Sequence, residues 1–146
     1  MQRPMRRKDR ETSRDAAGEL LTRGEYGVLS TVGPAGEPYG VPLSYAFRDG
    51  VLYFHSAPEG RKLEHLIPGA LASFCVVGAT EVLPEKFGTR YESAIASGEV
   101  RELQGEEKNR ALHYFVEKYS PQFLPQGEVY IAAASAKTRV FALQVR

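Results

Sequence analysis

The chain has 146 residues, with 19 Lys and Arg against 18 Asp and Glu for a net charge of +1, and 42% of it is hydrophobic. That is the length of one domain with a real core, expected over residues 1–146, and its near-neutral balance gives no reason to expect nucleic acid or an anionic membrane as partner. A single cysteine, Cys75, excludes an internal disulfide and reads as a buried, inert thiol; with only three scattered histidines beside it, no zinc-type ligand set is present.

In chain order, residues 1–11 form a polar, basic arm carrying Arg3, Arg6, Arg7, Lys8 and Arg10, expected to be solvated or to pack across a partner subunit. Thr12 with Asp15 predicts a helix over 15–23, ended by Gly24, with Ala16, Ala17, Leu20 and Leu21 inward. The period then shortens. Strands are predicted over 26–32 and 39–48, separated by the turn Gly33-Pro34-Ala35-Gly36. Pro42 removes a ladder donor from the second strand, which implies an edge, a bulge or a place where a ligand meets the backbone. Asp49-Gly50 is a hairpin turn into a strand over 51–57.

From Arg61 the apolar spacing changes to that of a short helix. The seam between strand and helix, residues 55–62, concentrates groups that hold a phosphate: the Ser56 hydroxyl, the bare backbone of Gly60, and the cations Arg61 and Lys62 at a helix start. The same stretch has a purely local reading, in which Ser56 and Glu59 make a capping box and Arg61-Lys62 is a solvated face. Both stay open at this level.

Further on, strands are predicted over 71–83 and 91–103, the latter with small residues Ser93, Ala94, Ala96, Ser97 and Gly98 that leave room for a bulge, a barrel corner or a flat ligand. A helix over 106–119 follows, in which His113 and Tyr114 read as packing residues, then a short helix over 128–134 and a final strand over 138–145. About six antiparallel strands with three short outer helices point to a small closed barrel of the α+β, mainly β class. No G-x-G-x-x-G or Walker motif is present, which disfavours Rossmann and P-loop folds. No stretch approaches the ~20 apolar residues of a membrane span and no signal-like block opens the chain, so a cytoplasmic location is expected.

Five blocks carry a family resemblance: residues 5–10 (MRRKDR), 39–45 (YGVPLSY), 52–57 (LYFHSA), 59–63 (EGRKL) and 91–98 (YESAIASG). In these the sequence resembles the pyridoxamine 5′-phosphate oxidase-like group of FMN-binding split barrels, most of all its nitroimidazole-resistance branch. The resemblance implies a six-stranded antiparallel Greek-key split β-barrel and a homodimer with FMN at the subunit interface. It implies that Arg61 and Lys62 clamp the FMN phosphate, that His55 and Ser56 line that end, and that Val41, Pro42, Leu43 and Ser44 run along the isoalloxazine ring. Ser93 would face its reactive side. His55 has two readings, a structural ring beside the phosphate or a catalytic candidate. The implied activity is an FMN-dependent oxidoreductase taking electrons from NAD(P)H, with nitroaromatic compounds of the 5-nitroimidazole type among its acceptors. The alternative is a flavin- or haem-binding module without turnover, for sensing or storage.

Overall fold

Turns set the sheet in this computed structural model, which describes residues 3–146; the first two residues of the expected basic arm lie outside them. Asp49 and Gly50 both take positive φ, 52° and 76°, the conformation a two-residue turn needs to match strand twist. They join β3 (Ala46–Arg48) to β4 (Val51–Ser56) with Arg48 opposite Val51. A second hairpin joins β1 (Gly27–Val32) to β2 (Pro38–Leu43), and a third joins the long strands β5 (Leu71–Leu83) and β6 (Gly88–Glu102). The last strand, β7 (Arg139–Val145), enters between β6 and β4.

All pairings are antiparallel, in the order β2-β1-β5-β6-β7-β4-β3. The sheet thus has seven strands instead of the expected six, because the predicted strand over 39–48 breaks at Ser44-Tyr45 into β2 and β3. Those two are the edge strands of the sheet, yet only two residues separate them in the chain. The sheet must therefore roll round until its edges approach, although no ladder joins them. It is a barrel left open along one seam, where the strand pattern alone predicted a closed one. Pro42 lies on one of these edges, which satisfies the expectation for a proline inside a strand.

Four α-helices accompany the sheet among the described residues: α1 (Arg14–Arg23), α2 (Arg61–His65), α3 (Gly105–Tyr119) and α4 (Leu124–Ala134). The cap of α1 is Ser13, whose hydroxyl accepts from the Ala16 N–H at 3.1 Å, and not the predicted Thr12-Asp15 pair. Leu20 and Leu21 are buried, Ala17 half-buried and Ala16 exposed, so the inner face is narrower than the periodicity suggested. α4 starts four residues before its predicted position. Pro125 sits in its first turn, where the missing N–H costs nothing, and so opens the helix instead of blocking it. Gly127 is where α4 comes closest to α3, since a Cβ there would stand 2.4 Å from Val116 Cγ1.

The core divides in two. Leu29, Tyr45, Leu52, Phe54, Phe74, Val76 and Phe141 fill the barrel, whereas Ala111, Leu112 and Phe115 of α3 and Ile131 of α4 cover its outer wall at β3, β4 and β7. The opposite outer wall, made by β1, β5 and β6, has no helix over the row Val28–Cys75–Ile95. Cys75 is consequently half-buried on that row, not sealed in the core as its apolar neighbours had suggested. The small-residue stretch of β6 resolves into parts: Ala94 and Ala96 face the core, Gly98 is a corner where a Cβ would strike the Gln144 carbonyl oxygen at 1.9 Å, and the register slips opposite Ser93.

Candidate functional site

The open seam begins where the β3–β4 ladder stops. Its last pair is Ala46–Tyr53, so the next rungs would be Tyr45 with Phe54 and Ser44 with His55. Those rungs are not made. The Tyr45 N–H instead donates to the Tyr119 hydroxyl at 3.0 Å, and the Tyr45 carbonyl accepts from Lys118 Nζ at 2.9 Å. The same Tyr119 oxygen lies 2.6 Å from the Glu25 carbonyl and 2.9 Å from the Tyr45 carbonyl, both within donating reach. The C-terminal turn of α3 thus takes up the backbone groups that would have continued the ladder. Every buried side-chain polar atom among the described residues has a partner.

Lys118 is unusual. Its ammonium stands 3.8 Å from the Tyr45 ring centroid, and burial pushes its pKa down to about 8. The Tyr45 phenol is pushed up from its ordinary value, first by burial. Sequence periodicity could not find either role, because Tyr119 has the spacing of an ordinary face residue and Lys118 that of a solvated one.

Below the seam, β4 carries His55 and Ser56 into the turn before α2. Ser56 is buried and its hydroxyl donates to the Ala57 carbonyl at 2.9 Å. The capping box with Glu59 is not formed; the cap of α2 is Gly60, which makes no side-chain bond and holds φ at 150°, a conformation side-chain-bearing residues rarely adopt. Arg61 and Lys62 follow. Neither has a carboxylate within 4.0 Å among the described residues. The Arg61 guanidinium lies 5.2 Å over the Tyr39 ring of β2, and half-burial lowers the Lys62 pKa. His55 sits edge-on to Phe115, 4.8 Å between centroids, and its pKa falls below 6.5 through burial and, second, the charge of Lys62.

One residue that spacing did not single out pins α2 in place. His65, one turn beyond Arg61, is 3% exposed; its Nδ1 is 2.8 Å from Thr31 Oγ1, its Nε2 is 3.7 Å from Glu37 Oε1, and its ring meets Tyr39 edge-on at 5.9 Å. The i, i+4 relation to Arg61 was the available signal. Through Tyr39 and His65, the β1–β2 hairpin and α2 share one aromatic contact set.

The predicted residues therefore fall into two groups. Ser44 and His55 line one cleft, of about 450 Å³, walled by Phe115, Val116, Tyr119, Phe123 and Tyr130. Lys62 is near enough for its charge to act on His55, and Arg61 reaches back to β2 two residues before Val41. Val41 and Leu43 turn their side chains into the barrel core and offer the seam only backbone, while Pro42 faces outward opposite Val28. Ser93 stands apart: at ~3.3 Å per residue it lies about 30 Å along β6 from Leu103, which bonds β7 beside His55. A larger, open depression of about 730 Å³ lies between α1 and the β3–β4 turn, but it collects none of the predicted residues, and Arg14, Asp15, Glu19, Arg23 and Asp49 on its walls mix both charge signs.

The donor set at the start of α2 suits a phosphate. A guanidinium and a half-buried ammonium stand here with no carboxylate within 4.0 Å among the described residues, the ammonium acts electrostatically on His55, and the space beside Gly60 is open. The cations carry this fit, because α2 is only five residues long.

A rolled antiparallel sheet, open along one seam with a cationic turn and an aromatic cleft beside the opening, defines a split-barrel protein. The chain belongs to the pyridoxamine 5′-phosphate oxidase family, whose model matches residues 13–146. Solved structures similar to it include a candidate 5-nitroimidazole antibiotic resistance protein from Bacteroides thetaiotaomicron, with a TM-score of 0.72 and 22% identity over 92% of this chain and 81% of that one. An FAD-binding protein from Mesorhizobium loti is 25% identical, with a TM-score of 0.64 over 92% and 91% of the two chains. An FAD and haem binding protein from Mycobacterium smegmatis is 20% identical, with a TM-score of 0.67 over 93% and 68%. No curated protein matches by sequence. Among the described residues no helix is long and apolar enough to cross a membrane.

Proposed function

We propose that the chain is an FMN-binding flavoprotein acting as an oxidoreductase, with the cofactor's phosphate held by Arg61 and Lys62 and its ring along the seam. The observation that carries this is the pair of adjacent cations with no carboxylate partner, one of them half-buried, beside a neutralised histidine. A partly desolvated lysine without a counter-charge is costly unless an anion completes it. The family and the flavin-binding relatives point the same way. Arg61 supplies a two-pronged grip, Lys62 a point charge, and His55, kept neutral, a hydrogen-bond donor toward a phosphate oxygen. The exposed backbone of Val41–Ser44 meets the ring edge.

When bound, FMN supplies two-electron redox chemistry between NAD(P)H and an acceptor such as a 5-nitroimidazole-type compound. The protein's part is to position and shelter it. Ser93 lies ten residues along β6 from Leu103, at the far end from His55, and in this reading it serves the flavin of a second copy, packed on the bare wall of β1, β5 and β6. A homodimer with shared sites follows.

The test is retention. Purified protein should be yellow with a flavin spectrum, and Arg61→Ala with Lys62→Ala should cut FMN affinity at least a hundredfold while leaving far-ultraviolet circular dichroism and thermal midpoint within error. Wild-type affinity in the double variant sinks the clamp. Bleaching by NADH or NADPH and reoxidation by a nitroaromatic select the enzyme. A second reading, a haem- or flavin-holding module without turnover, has its own support in His55: its ring stays neutral, as a metal ligand must, and faces an apolar cleft. A Soret band bleached by His55→Ala would choose it.

A further inference from the structure

The α3–α4 cleft is not explained by phosphate binding. It opens from Ser44 and His55 and runs out between two helices, with the rings of Phe115, Tyr119, Phe123 and Tyr130 along it. None of its lining side chains carries a permanent charge; Gln126 and Ser120 are its polar groups beyond the His55 end. Two of its walls are otherwise unemployed. Phe123 is 56% and Tyr130 66% exposed, both on the segment that leads into and forms α4, and neither belongs to the core. Exposed aromatics beside a concave apolar wall are costly in water and gain most from a flat partner. The volume, about 450 Å³, is that of a one- or two-ring ligand and too small for a dinucleotide. The cleft and the cation pair come together at His55, whose ring packs edge-on against Phe115 and feels the charge of Lys62.

We infer that this cleft is a second binding site, for an uncharged planar aromatic compound of one or two rings, seated between Phe115, Phe123 and Tyr130 with its polar edge toward Ser44, Ser120 or Gln126. It rests on the flavin reading for the role of the bound ring, which would lie next to the flavin as its reaction partner; the binding itself stands on the cleft. With no cation among the lining residues, an ionised ring held between Phe115, Phe123 and Tyr130 would shed hydration with no lining charge to replace it, so the cleft discriminates by charge. Phe123 and Tyr130 are specificity residues here, and since both are mostly exposed their removal leaves the fold intact.

The experiment titrates the full chain, FMN-loaded and flavin-free, with 2-naphthamide and 2-naphthoate by calorimetry, so that ring size is constant and only charge differs. Naphthamide should bind both forms, and in the FMN-loaded form, where the cations at Arg61 and Lys62 are occupied, at least tenfold more tightly than naphthoate. Phe123→Ala with Tyr130→Ala should weaken naphthamide at least tenfold, and Gln126→Trp, which fills the cleft, should abolish it, with FMN retention unchanged in each. Equal binding of the two probes to the FMN-loaded form, or wild-type naphthamide binding in both variants, overturns the site. Loss of FMN from Gln126→Trp also overturns it, by showing that the cleft is the flavin's own pocket. Should the protein hold no flavin at all, naphthamide binding to the flavin-free form still decides the cleft, so the two readings fail separately.

Discussion

At the scale of single residues, the chemistry of this protein lies in a few groups whose charge state the fold dictates. Lys118 is the clearest. Its ammonium is tied to the Tyr45 carbonyl and ring with no carboxylate within 4.0 Å among the described residues, and its pKa falls to about 8. Because the folded pKa lies below the unfolded value of 10.5, the unfolded chain holds more protons between those two values, and stability rises as pH climbs through that window. We expect the denaturation free energy of the wild type to gain on the order of 1 kcal/mol from pH 8 to 10.5 relative to Lys118→Met, a figure reduced for solvent screening of a part-exposed group. Parallel pH profiles for the two proteins in urea would refute it. His55 has the same sense at lower pH: with its pKa depressed, its share of stability is lost as pH drops below 6.5. His113 opposes it. The Asn109 carbonyl 2.7 Å from its Nδ1, and then Glu128, raise its pKa, so its contribution is complete in acid and fades as pH rises through the folded value.

At the scale of elements, what was legible in the sequence is what local chemistry alone decides. Asp49-Gly50 dictates its hairpin whatever surrounds it, and the stretch 71–83 is a strand from end to end. The cationic turn was visible because Arg61-Lys62 sits where strand period gives way to helix period. Elements whose meaning depends on distant partners were not legible. Tyr119 looks like any helix-face aromatic until Tyr45, 74 positions away, is brought to its hydroxyl. His65 needs Thr31 and Glu37 from another hairpin. The seventh strand arose because nothing in the run 39–48 reveals that its middle is diverted into α3. Gly98 gave a partial signal: its smallness was evident, its cause was not. With the Gln144 carbonyl oxygen 1.9 Å from where a Cβ would sit, Gly98→Ala must push β6 and β7 apart. We expect a loss of about 2–4 kcal/mol in chemical denaturation; a change below 0.5 kcal/mol would show that the corner yields easily.

At the scale of the molecule, the two outer walls of the barrel are treated differently. One is covered by α3 and α4. The other presents Val28 at 37%, Val77 at 53% and Ile95 at 70% exposure, with Tyr91 and, at the hairpin tip, Phe87 at 98%. A wall this apolar is more than a soluble monomer usually leaves bare. In the proposed homodimer it is the contact surface, and its small neighbours Ser30, Ser73 and Ser97 would let two such walls approach. Ile95→Glu should therefore halve the mass measured by light scattering at micromolar concentration and, if Ser93 of one copy serves the flavin of the other, lower FMN affinity as well. An unchanged mass would mean that the wall has another purpose.

The hydroxyl of Tyr119 joins three parts of the chain, Glu25, Tyr45 and its own helix. Without it, the Tyr45 amide would be free to carry the β3–β4 ladder on toward Phe54 and draw the seam together. One phenol acts as a doorstop. The hollow beside the seam persists because a side chain has already claimed the bonds that would erase it.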